Sequence, residues 1–208
     1  MADITDKAIA LILREYGVAA TPALCLAIQK YISVLLRWNE KIALTTITDP
    51  PDIVRLHFGE SMYGALAVPI KEGRLADVGT GAGFPGLPLK LLLPSLDLFL
   101  IESNAKKASF LSECIRELDL DGVEVYRGRF EAIIPTETRF DFVTARAVGG
   151  YSDLAAWSHK QLNLGGALSL WLGERDAMEV RKTSGFNWRA PVPITGSDQR
   201  VILSGTLA

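Results

Sequence analysis

Cysteine is scarce in this chain. Its two residues, Cys25 and Cys114, lie far apart with no partner at metal-ligand spacing. That excludes a disulfide framework and a thiolate-clustered metal centre, and points to buried free thiols in a reducing compartment. Long apolar runs are missing too, and none approaches the ~20 residues needed to span a bilayer. The opening Met1-Ala2-Asp3-Ile4-Thr5-Asp6 lacks the basic and apolar regions of a signal peptide. A cytoplasmic location, with no membrane partner, is the expectation. Nor is positive charge in excess: 22 Lys and Arg stand against 24 Asp and Glu, a formal charge of -2. The chain is no global polycation, so any nucleic-acid partner has to be met by locally gathered basic residues. No internal repeat or low-complexity tract occurs.

What is present is enough apolar material, 49% of 208 residues, to bury one main core with an appendage. Ile4, Ala8, Leu11, Ile12 and Tyr16 recur at helical spacing, and Gly17 stops that run. Thr21-Pro22 then reads as an N-cap with proline at the first helical position, before Leu24, Ile28, Tyr31, Ile32, Leu35 and Leu36. A loop over 38–51 and a helix over 51–66 complete a helical appendage of residues 1–70. From residue 71 to 208 the pattern changes. Apolar strands at 74–78, 96–101, 123–126, 140–145 and 167–172 alternate with helical stretches at 86–93, 105–118, 151–162 and 174–184. This alternation predicts an α/β domain with a parallel sheet covered on both faces. Two late strands, near 186–188 and 200–203, are predicted to pair antiparallel at its edge.

The most informative segment is Asp77-Val78-Gly79-Thr80-Gly81-Ala82-Gly83-Phe84-Pro85-Gly86, between the first strand and a helix. Glycines at alternate positions let a ligand approach the backbone, and the helix that follows offers free N–H groups. Dinucleotide enzymes, nucleotide-dependent methyltransferases and plain tight turns share such a pattern. Glu102, about twenty residues on at the end of the next strand, suits a ribose hydroxyl in either ligand class. Asp77 discriminates between them. A carboxylate aimed into the loop repels a pyrophosphate, but opposite an ammonium it gains a charge-assisted hydrogen bond of about 1.5–3 kcal/mol. A methionine moiety carries that ammonium. The plainer reading, in which Asp77 caps the turn, stays open.

The glycine segment, the run Leu100-Ile101-Glu102-Ser103-Asn104 with Lys106-Lys107 and Phe110-Leu111, and Thr144-Ala145-Arg146-Ala147 together form a pattern. In this order it resembles the glucose-inhibited division protein B family, bacterial methyltransferases acting on N7 of a guanine in 16S rRNA. The resemblance covers about 38–173. It implies a Rossmann-like class I methyltransferase sheet with S-adenosylmethionine as cofactor. It also implies that Asp77, Gly79, Thr80, Gly81 and Phe84 line the cofactor pocket, that Glu102 holds the ribose, and that Phe130 and Glu131 sit beside the adenine. Arg146 would stand at the mouth of the site, with His57 and Ser61 near the RNA. The bland alternatives are a core Phe130, a solvated Glu131 and a packed helical His57. The expected partner is 16S rRNA in a small ribosomal subunit or assembly intermediate, met by a monomer and without a metal.

Guanine N7 has an in-plane lone pair, so no proton has to leave before methyl transfer. Placement of the reacting atoms then suffices, and no catalytic base is expected. Asp49-Pro50-Pro51-Asp52 resembles the turn by which amino-directed methyltransferases grip an exocyclic amine. It lacks the aromatic residue and precedes the glycine loop, so it reads as a helix-initiating loop. Several positions depart from the family pattern. Ala43 stands for asparagine, Leu56 for arginine, Glu60 for aspartate in the run His57-Phe58-Gly59-Glu60-Ser61, and Leu172 for lysine. Arg55, one residue earlier than Leu56, would restore one lost charge. The other candidate RNA contacts are Arg37, Lys41, Lys106, Lys107 and Arg129. These departures keep open a cofactor-binding assembly module without catalysis; a nicotinamide oxidoreductase is the further alternative, disfavoured by Asp77 and by the absence of a convincing proton donor.

Overall fold

The computed structural model describes residues 4–68, 70–133 and 139–208. Thr5 and Thr21 stand in extended backbone and accept N–H groups of Ala8 and Leu24, so each caps a helix: α1 (Asp6–Glu15) and α2 (Pro22–Asn39). The single helix expected over 51–66 is instead built in three parts, α3 (Pro50–Ile53), a π-helical turn (Val54–Gly59) and α4 (Glu60–Ala67). A π turn holds one residue more than the α turn it replaces, and apolar periodicity does not reveal it.

Strands β1 (Gly73–Val78), β2 (Leu96–Glu102), β3 (Val123–Arg127), β4 (Phe140–Arg146) and β5 (Leu162–Gly173) run parallel in the order β3-β2-β1-β4-β5. The intervening helices are α5 (Gly86–Leu92), α6 (Ala105–Glu117), α7 (Phe130–Ile133), α8 (Tyr151–Gln161) and, after β5, α9 (Glu174–Val180). The order reverses between β1 and β4, which is where open α/β sheets place a ligand. The chain closes with β6 (Phe186–Trp188), β7 (Val192–Pro193) and β8 (Arg200–Leu207). β8 lies antiparallel on β5, and β6 and β7 pair with its other edge, as the sequence predicts for the late strands.

Alternation along the strands separates two apolar clusters. Leu75, Leu98 and Leu100 face one side and merge with Ile28, Tyr31, Ile32 and Phe58 of the helical appendage and with Phe110 and Leu111 of α6. Ala76, Val78, Phe99, Ile101, Val143 and Ala145 face the other and pack against Leu154, Trp157 and Ala177 of α8 and α9. Cys25 and Cys114 are buried free thiols in α2 and α6. The change of pattern near residue 70 therefore does not interrupt the core.

Candidate functional site

Strand register assembles the site. Val78 of β1 pairs with Ile101 of β2 and with Ala145 of β4, so the next residues, Gly79, Glu102 and Arg146, form one row at the carboxyl ends. Gly79 takes φ +65°, and a Cβ there would lie 2.5 Å from Val148 Cγ1. Only glycine fits that conformation and that space.

Asp77 lies one pleat below the row and is fully buried. Its Oδ1 accepts the hydroxyl of Thr144, its register partner on β4, at 2.8 Å, and its Oδ2 accepts the Gly86 N–H at 3.0 Å. A Cβ on Gly86 would approach that oxygen to 2.8 Å, so glycine at the start of α5 permits the contact. Burial raises the Asp77 pKa to about 6, against the hydrogen bonds of Thr80, Thr144 and Gly86 and the charge of Arg146. The carboxylate expected to point into the loop instead lies beneath it and ties the start of α5 to β4. The apolar strand forces this, because alternation turns Asp77 toward α5.

Glu102 also braces the loop. Its Oε2 accepts from Gly81 N–H at 2.9 Å and its Oε1 from Asn104 N–H at 2.7 Å. Beside it a cavity of about 220 Å³ is lined by Gly79, Ile101, Ser103, Phe130, Glu131 and Val148. Phe130 packs edge-on against Trp157 at 5.4 Å while contributing to the cavity wall, so it serves core and cavity together. Glu131 is exposed and paired with Arg129 at 3.2 Å, which lowers its pKa.

A second cavity, of about 230 Å³, opens on the other side of Gly79, between the loop and the appendage. Its wall includes Thr45, His57, Thr80, Phe84, Lys107 and Arg146. The His57 ring stacks on Phe84 at 4.6 Å and 25°, and its Nε2 lies 2.9 Å from the Thr45 hydroxyl. Asn39 holds the Thr45 segment by accepting the Leu44 and Thr45 N–H groups on Oδ1. Burial and the Arg146 charge lower the His57 pKa to about 4, so the ring is neutral near pH 7. Its Nδ1 and Arg146 Nη1 are buried without a hydrogen-bond partner among the described residues. Unsatisfied polar atoms on residues that line a glycine-bearing cavity fit a polar ligand. Ala147, also in the wall, has φ +53°, a strained conformation for a side-chain-bearing residue.

A family model for rRNA small subunit methyltransferase G matches residues 25–187. The chain belongs to the GidB family. Proteins named ribosomal RNA small subunit methyltransferase G are 41% identical over 145 residues in Streptococcus pneumoniae and 40% identical over 156 in Desulfitobacterium hafniense. These matches cover 67% and 74% of this chain, and 61% and 64% of the relatives. The chain thus spans just under two-thirds of the length of these relatives. Its fold is the class I methyltransferase fold. A SAM dependent methyltransferase from Aquifex aeolicus matches with TM-score 0.63 at 15% identity, over 76% of this chain and 94% of its own. A putative O-methyltransferase from Klebsiella pneumoniae has the same score and identity over 97% of both chains.

Within this GidB-family chain, Ser61 and Arg55 depart from expectation. Ser61 is fully buried and donates its hydroxyl to the His57 carbonyl, one helical turn back, so it does not face a substrate. The Arg55 guanidinium is turned away to Glu15 and Asp52 at 3.7 and 3.4 Å, so it does not replace the charge missing at Leu56. Arg37 is likewise engaged, tying α2 to Glu113 of α6. Arg146 is 17% exposed and donates to the Leu56 carbonyl at 3.0 Å. Two participants, Tyr31 and Trp171, escape a sequence reading, and a third, Glu60, is marked there only as a departure within the family's run at 57–61. Tyr31 of α2 donates its hydroxyl to the Ala82 carbonyl in the glycine loop. Glu60 is 1% exposed and pairs with Arg146 at 3.2 Å and with Arg200 at 2.8 Å. Trp171 Nε1 fixes the Glu60 carbonyl at 2.9 Å. Each contact spans dozens of residues, and no local spacing marks it.

Proposed function

We propose that this chain transfers a methyl group from S-adenosylmethionine to N7 of a guanine in 16S rRNA. In this reading it acts as a monomer on a cytoplasmic small ribosomal subunit or assembly intermediate. The observation that carries the reading is the pair of cavities meeting at Gly79, one suited to a nucleoside and the other to a reacting base. S-adenosylmethionine supplies an electrophilic methyl on a sulfonium. Glu102, whose carboxylate has lone pairs beyond its two backbone bonds, accepts ribose hydroxyls. Phe130 and Val148 flank the purine, and Glu131 lies at its rim. Asp77 acts as a positioning residue, keeping Gly79, Thr80 and Gly81 at the distance the ligand needs.

On the substrate side, the His57–Phe84 stack offers a flat apolar wall for an unstacked base. A neutral His57 adds no positive charge beside the sulfonium. Because N7 is the nucleophile, it has to stay free of donors, so Arg146 and the Thr45 hydroxyl suit the guanine O6 and the backbone instead. No proton leaves N7 before attack, and alignment with water excluded is the chain's contribution. Lys107 and Arg146 are the cations in the cavity wall. With a formal charge of -2 the chain is suited to a folded ribonucleoprotein surface rather than free RNA. The test incubates the protein with the cofactor and unmodified small subunits, then cleaves the rRNA with borohydride and aniline. A new cleavage at one guanine is expected. Its absence across subunits and assembly intermediates, with cofactor binding intact, would favour a non-catalytic assembly module.

A further inference from the structure

Arg146, Glu60 and Arg200 place two guanidinium groups on one buried carboxylate. Arg200 comes from the start of β8, and its Nε donates to Ser197 Oγ at 3.0 Å while Nη1 donates to Glu60 Oε2 at 3.0 Å. Arg146 Nη2 is shared by Glu60 and the Leu56 carbonyl, which leaves Nη1 buried and unpartnered among the described residues. A guanidinium carries five N–H donors, and one carboxylate does not neutralise two of them. Asp77 also acts on Arg146 from beneath the loop, and Asp176 lies at the rim, so what the cluster leaves over is a buried guanidinium donor without an acceptor, a costly arrangement unless an anion completes it.

The space for that anion is present. A cavity of about 310 Å³ is lined by Glu60, Arg146, Tyr151, Trp171, Asp176 and Arg200. Arg146 and Ala147 belong both to its wall and to that of the His57 cavity, so the two chambers share one boundary. Beyond it, an open groove continues past Gly173, Asp176 and Arg200 to Glu174 and Arg175. Asp176 is exposed, so water screens its charge at the outer rim, whereas Glu60 is wholly enclosed. An anion is thus drawn inward toward Arg146, next to the place proposed for the reacting base.

The geometry points to an oxyanion seat in which Arg146 and Arg200, aligned by Glu60 and joined by the Tyr151 hydroxyl, hold a backbone phosphodiester flanking the target nucleotide. The inference rests on the rRNA reading above. The other source of the same chemistry is the carboxylate of the methyl donor, and it lies with the ligand on the glycine loop. A phosphodiester suits a groove that runs onward from the seat, because an RNA strand has to leave the chamber at both ends. Contacts to phosphate set register and orientation without reading sequence. Arg200 and Glu60 are in this view positioning and binding residues for RNA and play no part in the chemical step.

The test measures the KM for unmodified small subunits, by transfer of labelled methyl, and the Kd for S-adenosylmethionine, by calorimetry. Arg200→Lys keeps the charge opposite Glu60 but loses the planar fork, and roughly a tenfold rise in KM is expected with Kd unchanged. Asp176→Asn removes a rim carboxylate and is expected to lower KM about two- to threefold, more at low salt than at high. Because Asp176 is exposed, this second variant remains decisive if the first destabilises the fold. A parallel rise in the cofactor Kd would assign the seat to the donor's carboxylate and overturn the proposal. Unchanged KM in both variants would overturn it as well. Failure of the unaltered protein to methylate any subunit would instead overturn the reading on which the seat rests, and the seat with it.

Discussion

The hydroxyl of Tyr31, in the middle of α2, donates to the carbonyl of Ala82 at the tip of the glycine loop. Tyr31 is fully buried among Phe58, Phe84 and Phe110, with ring centroids 5.1, 5.5 and 6.1 Å away. The helical appendage thereby fixes the conformation of a loop that belongs to the sheet.

Tyr31→Phe keeps the ring packing and removes this donor. A stability loss of about 1–3 kcal/mol is expected, since the Ala82 carbonyl is left buried and unsatisfied. Cofactor affinity should fall severalfold at the same time. Urea unfolding and calorimetry measure the two effects, and an unchanged affinity would mean that the loop holds its shape without α2.

Gly79→Ala places a methyl against Val148 in a left-handed backbone. The conformational cost alone is roughly 1–2 kcal/mol. Cofactor binding is expected to weaken tenfold or more, and adding Val148→Ala should restore part of it by removing the clash but not the backbone strain. Calorimetry on both variants checks this order. No recovery in the double variant would place the whole penalty in the backbone.

Asp77 and His57 oppose one another in their dependence on pH. The folded pKa of Asp77 is raised to about 6 from 3.8, so the folded state binds more protons and stability falls as pH rises across that interval. His57 is lowered from 6.5 to about 4, so the unfolded state binds more protons and stability rises with pH over nearly the same range. Each effect is roughly 3 kcal/mol at most, and the two largely cancel. His57→Phe should therefore expose a fall in stability between about pH 4 and 6, and urea titrations at several pH values would detect it. A flat profile would contradict the burial of Asp77 as an ionisable acid.

Glu60→Ala leaves two guanidinium groups facing each other without their carboxylate. A loss of about 3–5 kcal/mol is expected from breaking a buried pair in this way. Thermal unfolding at low and high salt measures it, and added sulfate should recover part of the loss by standing in for the carboxylate. Glu60→Gln, which keeps the size, should separate the charge from the packing.

Much of the architecture was legible because it is written in local patterns. The strands at 74–78 and 140–145 and the helix after Asn104 follow from period-two and period-3.6 alternation with a capping residue. The π turn at Val54–Gly59 was not legible, because one added residue leaves the apolar pattern intact while changing which side chains face the site. That is why Arg55 turns to Glu15 and Asp52 while His57 reaches Phe84. The candidate site divides in the same way. Gly79 and Arg146 sit at strand ends, a location local pattern reveals, but that Phe84 lines the cavity beside His57 and that the Ser61 hydroxyl returns to its own helix had no local sign.

The sequence by itself determined the alternation of strands and helices, the glycine loop at the carboxyl end of β1 and the family to which the chain belongs. All of these depend on neighbours within a few residues or on the order of short motifs. Only the tertiary structure decided that Asp77 lies under the loop rather than in it, that Tyr31 latches Ala82, and that Arg200 meets Arg146 across Glu60. Those contacts join residues up to 140 positions apart. Their partners are chosen by strand register and by the burial of charge, which act only once the chain has closed around them.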